Sequence, residues 1–447
     1  MKADIFTTYG QGSRKERLHQ IVAMSDDPGI ENRVINLYPK IQYEGVTLEG
    51  FGGAVTDAAG YVYSHMDQTQ KKELLSTYFS EERMNYSLIR VPLDSCDFSL
   101  GPYEAMSDSN DAALDTFSLS GMEKYVFPML RDIQSAAKKP IPLMLSPWSP
   151  PAFMKTNGRR DQGGKLLPQY RAMWAEYLCR YILEFQKRGY PVRRISLQNE
   201  PNAAQSWDSC VYTASEEKAF LRDHMVPAMR SHGLSDIEVF IWDHNKERVY
   251  EWMRDIVDSE TEPMVAGAAF HWYSGDHFEA LDLCRRAYPN MKLILSESCI
   301  EFSKFDPAES VTAALQVGHE LIGDLNHGVA AFYDWNLLLD EKGGPNYAGN
   351  YCLAPFRFDT HQKELRPHLL QPYIEHFSHY MLPGSVRFAH TKFTDSIDVT
   401  SWRRPDGQIV VILLNKDKEN QPVCLRIEGK AAEFILHSES ITTVTMQ

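Results

Sequence analysis

Long apolar runs are missing from this chain. No stretch approaches the ~18 residues that read as a bilayer-spanning helix, and the opening Met1–Tyr9 segment lacks the apolar centre of a secretory signal. Stable membrane insertion is therefore not expected, and the chain reads as cytoplasmic. The seven cysteines, at 96, 179, 210, 284, 299, 352 and 424, are odd in number and nowhere spaced CxxC. That pattern writes no disulfide framework and no zinc knuckle, so reduced thiols are expected. Positive charge is in short supply: 46 Lys and Arg stand against 60 Asp and Glu, a net −14. Nucleic-acid binders neutralise phosphates, so this balance argues against one. There is no GxGxxG or GxxxxGK[ST] phosphate turn and no GxSxG elbow. His319-Glu320 begins like HExxH, but position 323 is Gly. No metal site and no cofactor are expected.

What is present is an ordinary globular composition, 43% hydrophobic and 24% charged, with somewhat abundant aromatic rings at 11%. Between about residues 50 and 340, short apolar runs alternate with longer amphipathic stretches. The runs lie around Thr47–Gly53, then at Tyr86–Leu93, Ile141–Trp148, Arg194–Glu200, Glu238–Asp243, Ala266–Tyr273, Lys292–Ser298 and Gly328–Trp335. Continuous apolar runs are strands buried on both faces, as in a parallel sheet. Leu167–Gln186 and Ser215–Ser231 have helical spacing. Eight β/α units in this length predict an α/β fold, a (β/α)8 TIM barrel.

The C-terminal segment differs. Gln408–Asn415, Val423–Ile427, Phe434–His437 and Thr442–Met446 are β-rich runs separated by turns such as Pro405-Asp406-Gly407. They predict a small antiparallel β-sandwich, which the strand-like Val34–Tyr43 is expected to join. The expected division is an N-terminal strand region at 1–45, a barrel at 46–383 and a β-sandwich at 384–447.

Barrel chemistry sits where strands end at the C-terminal face. The fourth run ends in Gln198-Asn199-Glu200-Pro201 and the seventh in Ser296-Glu297-Ser298. The second leads into Asp94-Ser95-Cys96-Asp97, the third into Trp148, the sixth into His271-Trp272-Tyr273, and the eighth into Asp334-Trp335-Asn336. Two glutamates, several rings and an amide converge on one rim. Glycoside hydrolysis needs that set: one acid to protonate the leaving oxygen, one carboxylate to attack or to activate water, and flat rings to hold the sugar.

Seven blocks carry a closer likeness: Gly50–Ala58, Ile89–Ser99, Ser146–Gly158, Gln198–Pro201, Ala269–Tyr273, Ser296–Cys299 and Asp334–Asn350. In order and content they resemble family 30 of the glycoside hydrolases, particularly its glucosylceramidase-like branch. The resemblance implies a retaining exo-β-glycosidase acting on a small carbohydrate or glycoside. It implies that Glu200 is the acid/base and Glu297 the nucleophile. It further implies that Asp97 and Trp148 line the sugar subsite, Asn199 faces the 2-hydroxyl, and Trp335 and Asn350 close the pocket. His271 and Tyr273 would flank the nucleophile, with Tyr273 suited to hydrogen-bond the Glu297 carboxylate.

Glucose is the expected sugar. A β-xylosidase, a β-fucosidase or 6-deoxyglucosidase, and a β-1,6-glucanase are the competing specificities, and a catalytically dead carbohydrate-binding barrel is the alternative of another class. The chain departs from the animal glucosylceramidases at Gln198, where they carry an acid, and in the loops Ala203–Tyr212 and Lys246–Pro263. Those loops are expected to shape the aglycone side. His376 and His379 read as a satisfied pair on a helix, Cys299 as a packing residue, and Gly52 and Gly53 as letting the first strand's end turn sharply near the pocket. The sequence sets no oligomeric state.

Overall fold

The computed structural model describes residues 2–11, 14–29, 31–302 and 310–447. Eight parallel strands close into a barrel: Gly50–Ala54, Leu88–Leu93, Leu143–Pro147, Val192–Ser196, Glu238–Asn245, Gly267–His271, Lys292–Glu297 and Ala331–Asp334. Each falls on one of the eight apolar runs. The eighth strand returns to the first, Ala331 pairing with Gly50, and this closes the ring. Leu88, Met144, Phe240, Ala269, Ile294, Ala331 and Tyr333 pack inside it. Low on the barrel axis, the buried Arg194 hydrogen-bonds Tyr333 (3.0 Å) and Glu238 (2.7 Å). The interior is thus a packed core.

Glycines set how closely the barrel strands approach. Gly52 and Gly53 do not turn the chain, contrary to the expectation above; the strand runs straight through them. A Cβ on Gly52 would overlap the Leu88 carbonyl of the next strand, and one on Gly53 would meet the Leu337 side chain. What these positions require is space.

Around the barrel, a short 3₁₀ turn at Pro168–Tyr170 runs into helix Arg171–Lys187. The stretch expected to be helical from Ser215 starts one residue earlier. Thr213 caps it in a box with Glu216, and it continues from Ala214–Phe220 through a π turn at Leu221–Met225 into Val226–Ser231. Among the described residues, no helix is long and apolar enough to cross a membrane.

The second layer system is one ten-stranded sheet with its own core of Ile5, Ile35, Phe388, Val399, Val411, Leu425 and Val444, among others. Val34–Thr47 lies within it, antiparallel to Val386–Thr391 and parallel to Gln421–Ile427. Two further strands were not foreseen: Lys2–Gln11 and Arg14–Ala23 form a hairpin whose first strand pairs with Ser440–Met446. Helix Leu370–Ser378 is wedged between this sheet and the barrel. Its His376 ring is buried and bonded to Thr8 and Thr443 at 2.8 Å each, and His379 contacts the Arg83 carbonyl at 2.9 Å. Both histidines are therefore satisfied by local partners.

Candidate active site

A cavity of about 160 Å³ opens at the C-terminal end of the barrel. Asp97, Trp148, Asn199, Glu200, Tyr273, Glu297, Trp335 and Asn350 all line it. His271 stands one layer behind, fully buried against Glu200. Every residue singled out from the sequence therefore meets at one site.

Glu297 is the last residue of the seventh strand. Its Oε1 accepts a hydrogen bond from the Tyr273 hydroxyl at 3.0 Å, and its Oε2 is paired with the Arg90 guanidinium. Glu200 lies beyond the fourth strand with φ +49°, a left-handed conformation that non-glycine residues seldom adopt. Its N–H is held by the Asp243 carbonyl at 2.9 Å, and the preceding Asn199 N–H by the Pro147 carbonyl at 2.8 Å. Neighbouring strands thus hold a strained turn that aims the carboxyl at the cavity. Gln205 Nε2 donates to Glu200 Oε2 at 3.4 Å, and His271 Nδ1 lies 3.4 Å from Oε1.

The electrostatics divide these groups. Burial by itself raises the Glu200 carboxyl, but the bond to His271 and the charge around it win and hold Glu200 down at about 2. Burial lowers the His271 imidazole. The Glu297 charge and the hydrogen bonds to Asp243 (3.2 Å) and Glu200 outweigh that and lift it to about 9. In the open pocket, the one proton of the Glu200–His271 pair therefore sits on the imidazole. Asp97 is pushed well above the carboxylate range by burial and by the charges of Glu297 and Glu200. It accepts a 3.1 Å bond from Asn350.

Two residues that hold the site together escaped the sequence reading. Arg90, in the middle of the second strand, is completely buried. Besides Glu297 it donates to Asn199 (2.7 Å), Asp243 (3.0 Å) and Ser146 (3.0 Å). Its guanidinium also lies 5.0 Å from the Trp148 ring and 5.5 Å from Trp335, which stack on each other at 5.3 Å. Asp243, at 0% exposure, joins Arg90, His271 and Ser296 and is held below its usual range mainly by the Arg90 charge acting against burial. The signal was a lone cation inside an apolar run, Ile89-Arg90-Val91, which no surface role explains.

The departures sort themselves by place. Gln198 is 1% exposed and braces the Trp148 carbonyl at 2.7 Å, and it does not line the cavity. The loop 203–212 contributes Gln205 and Trp207 to the cavity wall, whereas 246–263 contributes nothing. Instead Lys246 is buried in an ion-pair cluster with Glu320 and Asp324, behind the barrel wall. Among the described residues, no group of three or more His, Cys, Asp or Glu side chains is arranged to hold a metal ion.

Comparison with known proteins agrees with this geometry. The glycosyl hydrolase family 30 TIM-barrel model matches residues 48–381, and the family 30 β-sandwich model matches 384–444. The mouse lysosomal acid glucosylceramidase is 29% identical over 410 residues, 88% of this chain and 79% of that protein. An endo-1,6-β-D-glucanase of Neurospora crassa is 25% identical across 89% of this chain and 85% of its own length. Among solved structures, SrfJ from Salmonella typhimurium superposes with a TM-score of 0.95 at 32% identity, covering 100% of both chains. With one family model over the barrel and its companion over the sandwich, this chain belongs to glycosyl hydrolase family 30 and is a glycoside hydrolase.

Proposed function

We propose that the protein is a retaining exo-β-glycosidase that removes terminal β-linked glucose through a covalent glycosyl-enzyme. The observation that carries this reading is the cavity itself. At about 160 Å³ it is smaller than the roughly 300–1,000 Å³ of typical ligand pockets, the scale of a single sugar ring. Both glutamates face it, and two stacked tryptophans form its wall. The likeness to the mouse glucosylceramidase supports glucose as the sugar.

In this mechanism Glu297 attacks the anomeric carbon while Glu200 protonates the leaving oxygen; Glu200 then deprotonates the water that releases the sugar. Arg90 and Tyr273 hold the Glu297 carboxylate in line. The proton for the first step is stored on His271. When substrate fills the pocket and expels water, an ion pair becomes costlier than its neutral form. The proton then moves along the Nδ1–Oε1 contact to Glu200, and His271 stays oriented by Asp243.

A second reading, β-1,6-glucanase, is favoured by one solved endo-β1,6-glucanase that superposes with a TM-score of 0.86 at 25% identity, covering 99% of both chains. A panel of nitrophenyl β-glycosides, alongside β-1,6-linked oligosaccharides, separates the two. Release of glucose from the non-reducing end, seen first as the β-anomer by proton NMR, is the expected result. Internal cleavage of the oligosaccharides, or initial α-anomer, refutes the proposal.

A further inference from the structure

Two cysteines share the wall of the sugar cavity, and the glycosidase chemistry uses neither. Cys299 follows Glu297 by two residues. Cys352 lies on the short ladder in which Ile300 pairs with Leu353 and Glu301 with Cys352. Both side chains line the cavity. Their sulfurs are 3.1 Å apart, about 1 Å beyond a disulfide bond. Cys299 Sγ also lies 3.3 Å from the Tyr273 hydroxyl, the same hydroxyl that donates to Glu297.

We propose that Cys299 and Cys352 form a dithiol modification site, which a hydroperoxide closes to a disulfide that turns the glycosidase off. The link to activity rests on Glu297 being the nucleophile; the bond formation does not. In the first step the Cys299 sulfur attacks one peroxide oxygen and the O–O bond breaks. Cys299 becomes a sulfenic acid, and its proton leaves with the displaced oxygen as water or an alcohol. In the second step Cys352 attacks the Cys299 sulfur, the S–O bond breaks, and the hydroxyl leaves as water with the Cys352 proton. The two thiols lose two electrons, and the hydroperoxide takes them up.

Position decides the order of events. Cys299 is 9% exposed and Cys352 only 1%, so the oxidant arriving through the sugar pocket reaches Cys299 first. Burial raises the Cys299 thiol, and its contact with Cys299 together with burial raises Cys352, so both stay protonated and react slowly. A bound sugar covers the same wall. Oxidation therefore falls on the empty enzyme, and a working enzyme is spared. Closing the bond draws the Cys299 sulfur toward Cys352 and off Tyr273. It also tightens a strand two residues from Asn350, which holds Asp97.

The test uses the full chain treated with hydrogen peroxide, with and without a glucose-mimicking iminosugar. Intact mass and non-reducing peptide maps are read beside activity on an aryl glucoside, each variant being scored against its own reduced activity. The expected result is loss of two hydrogens, a Cys299–Cys352 cross-linked peptide, and activity falling at least tenfold in step with it. A dithiol reductant restores both, and the iminosugar slows both. In Cys352→Ala, peroxide carries Cys299 on to the sulfinic acid, and the reductant recovers nothing. Absence of the cross-linked peptide at doses that oxidise the half-buried Met173 and Met264 overturns the site. A quantitative cross-link with full activity overturns the switch. Because mass reports the bond without reference to catalysis, failure of the dithiol is distinguishable from failure of the Glu297 assignment.

Discussion

Replacing His271 by Asn keeps an N–H able to face Glu200 but removes the stored proton. Lifting an imidazole from 6.5 to about 9 corresponds to about 3 kcal/mol in favour of its cation, at 1.36 kcal/mol per pH unit. The sign follows from a raised value. The favourable contribution is complete below 6.5 and is lost as pH rises through about 9. The alkaline limb of kcat/KM in the native enzyme is thus expected near 9, where the Glu200–His271 pair gives up its one proton. In His271→Asn the proton must reside on Glu200 alone. Burial still raises that carboxyl, but it remains a carboxylic acid, and the limb moves down by roughly two pH units or more. At pH about 8 this costs roughly tenfold or more on a phenyl glucoside, whose leaving group needs an acid. On a dinitrophenyl glucoside, which departs unprotonated, the two enzymes should differ little. Matching alkaline limbs on the phenyl substrate would refute His271 as the proton store.

Glu297→Ala should abolish turnover and, with azide, yield the α-glycosyl azide. Glu200→Ala should form the glycosyl-enzyme from a dinitrophenyl glucoside and return the β-glycosyl azide. The opposite pairing of products, read by NMR, exchanges the two roles. Arg90→Lys keeps the charge but not the planar fork that spans Glu297, Asn199, Asp243 and Ser146. Each charge-assisted bond lost is worth about 1.5–3 kcal/mol, so kcat/KM should fall at least about tenfold; an unimpaired variant contradicts the arrangement. Gly52→Ala drives a methyl into the Leu88 carbonyl, and the barrel should lose stability or fail to fold. A variant with the native melting temperature would show that this strand pair opens at little cost.

The eight barrel strands were legible because parallel strands are buried on both faces and so write continuous apolar runs. The candidate site at the rim was legible because Glu200 and Glu297 end two such runs. Arg90 was hidden inside the second run, whereas Asp243 closes the fifth, Glu238–Asp243, and was not counted among the rim groups. Reading a run as apolar passes over the one charge in it, and only the folded ring brings Arg90 from the second strand to Asp243 in the fifth and Glu297 in the seventh. The N-terminal hairpin was missed for a different reason. Its strands, KADIFTTYGQ and RKERLHQIVA, mix polar and apolar residues without the clean alternation of a half-buried strand. The turn role given to Gly52 and Gly53 failed because a close approach and a sharp turn leave the same mark, a glycine.

The pairing of Lys2–Gln11 with Ser440–Met446 has a consequence for how the chain is made. On a ribosome the hairpin is made before the barrel, and its partner follows only after the whole barrel has been synthesised. Until then the inner edge of the hairpin carries unpaired N–H and C=O groups, and so does Ile409–Asn415, which flanks the same late strand. Contacts so distant in sequence close slowly. Arrival of Ser440–Met446 then joins an edge made before the barrel to one made after it, and a chain broken off earlier carries two open strands exposed to aggregation.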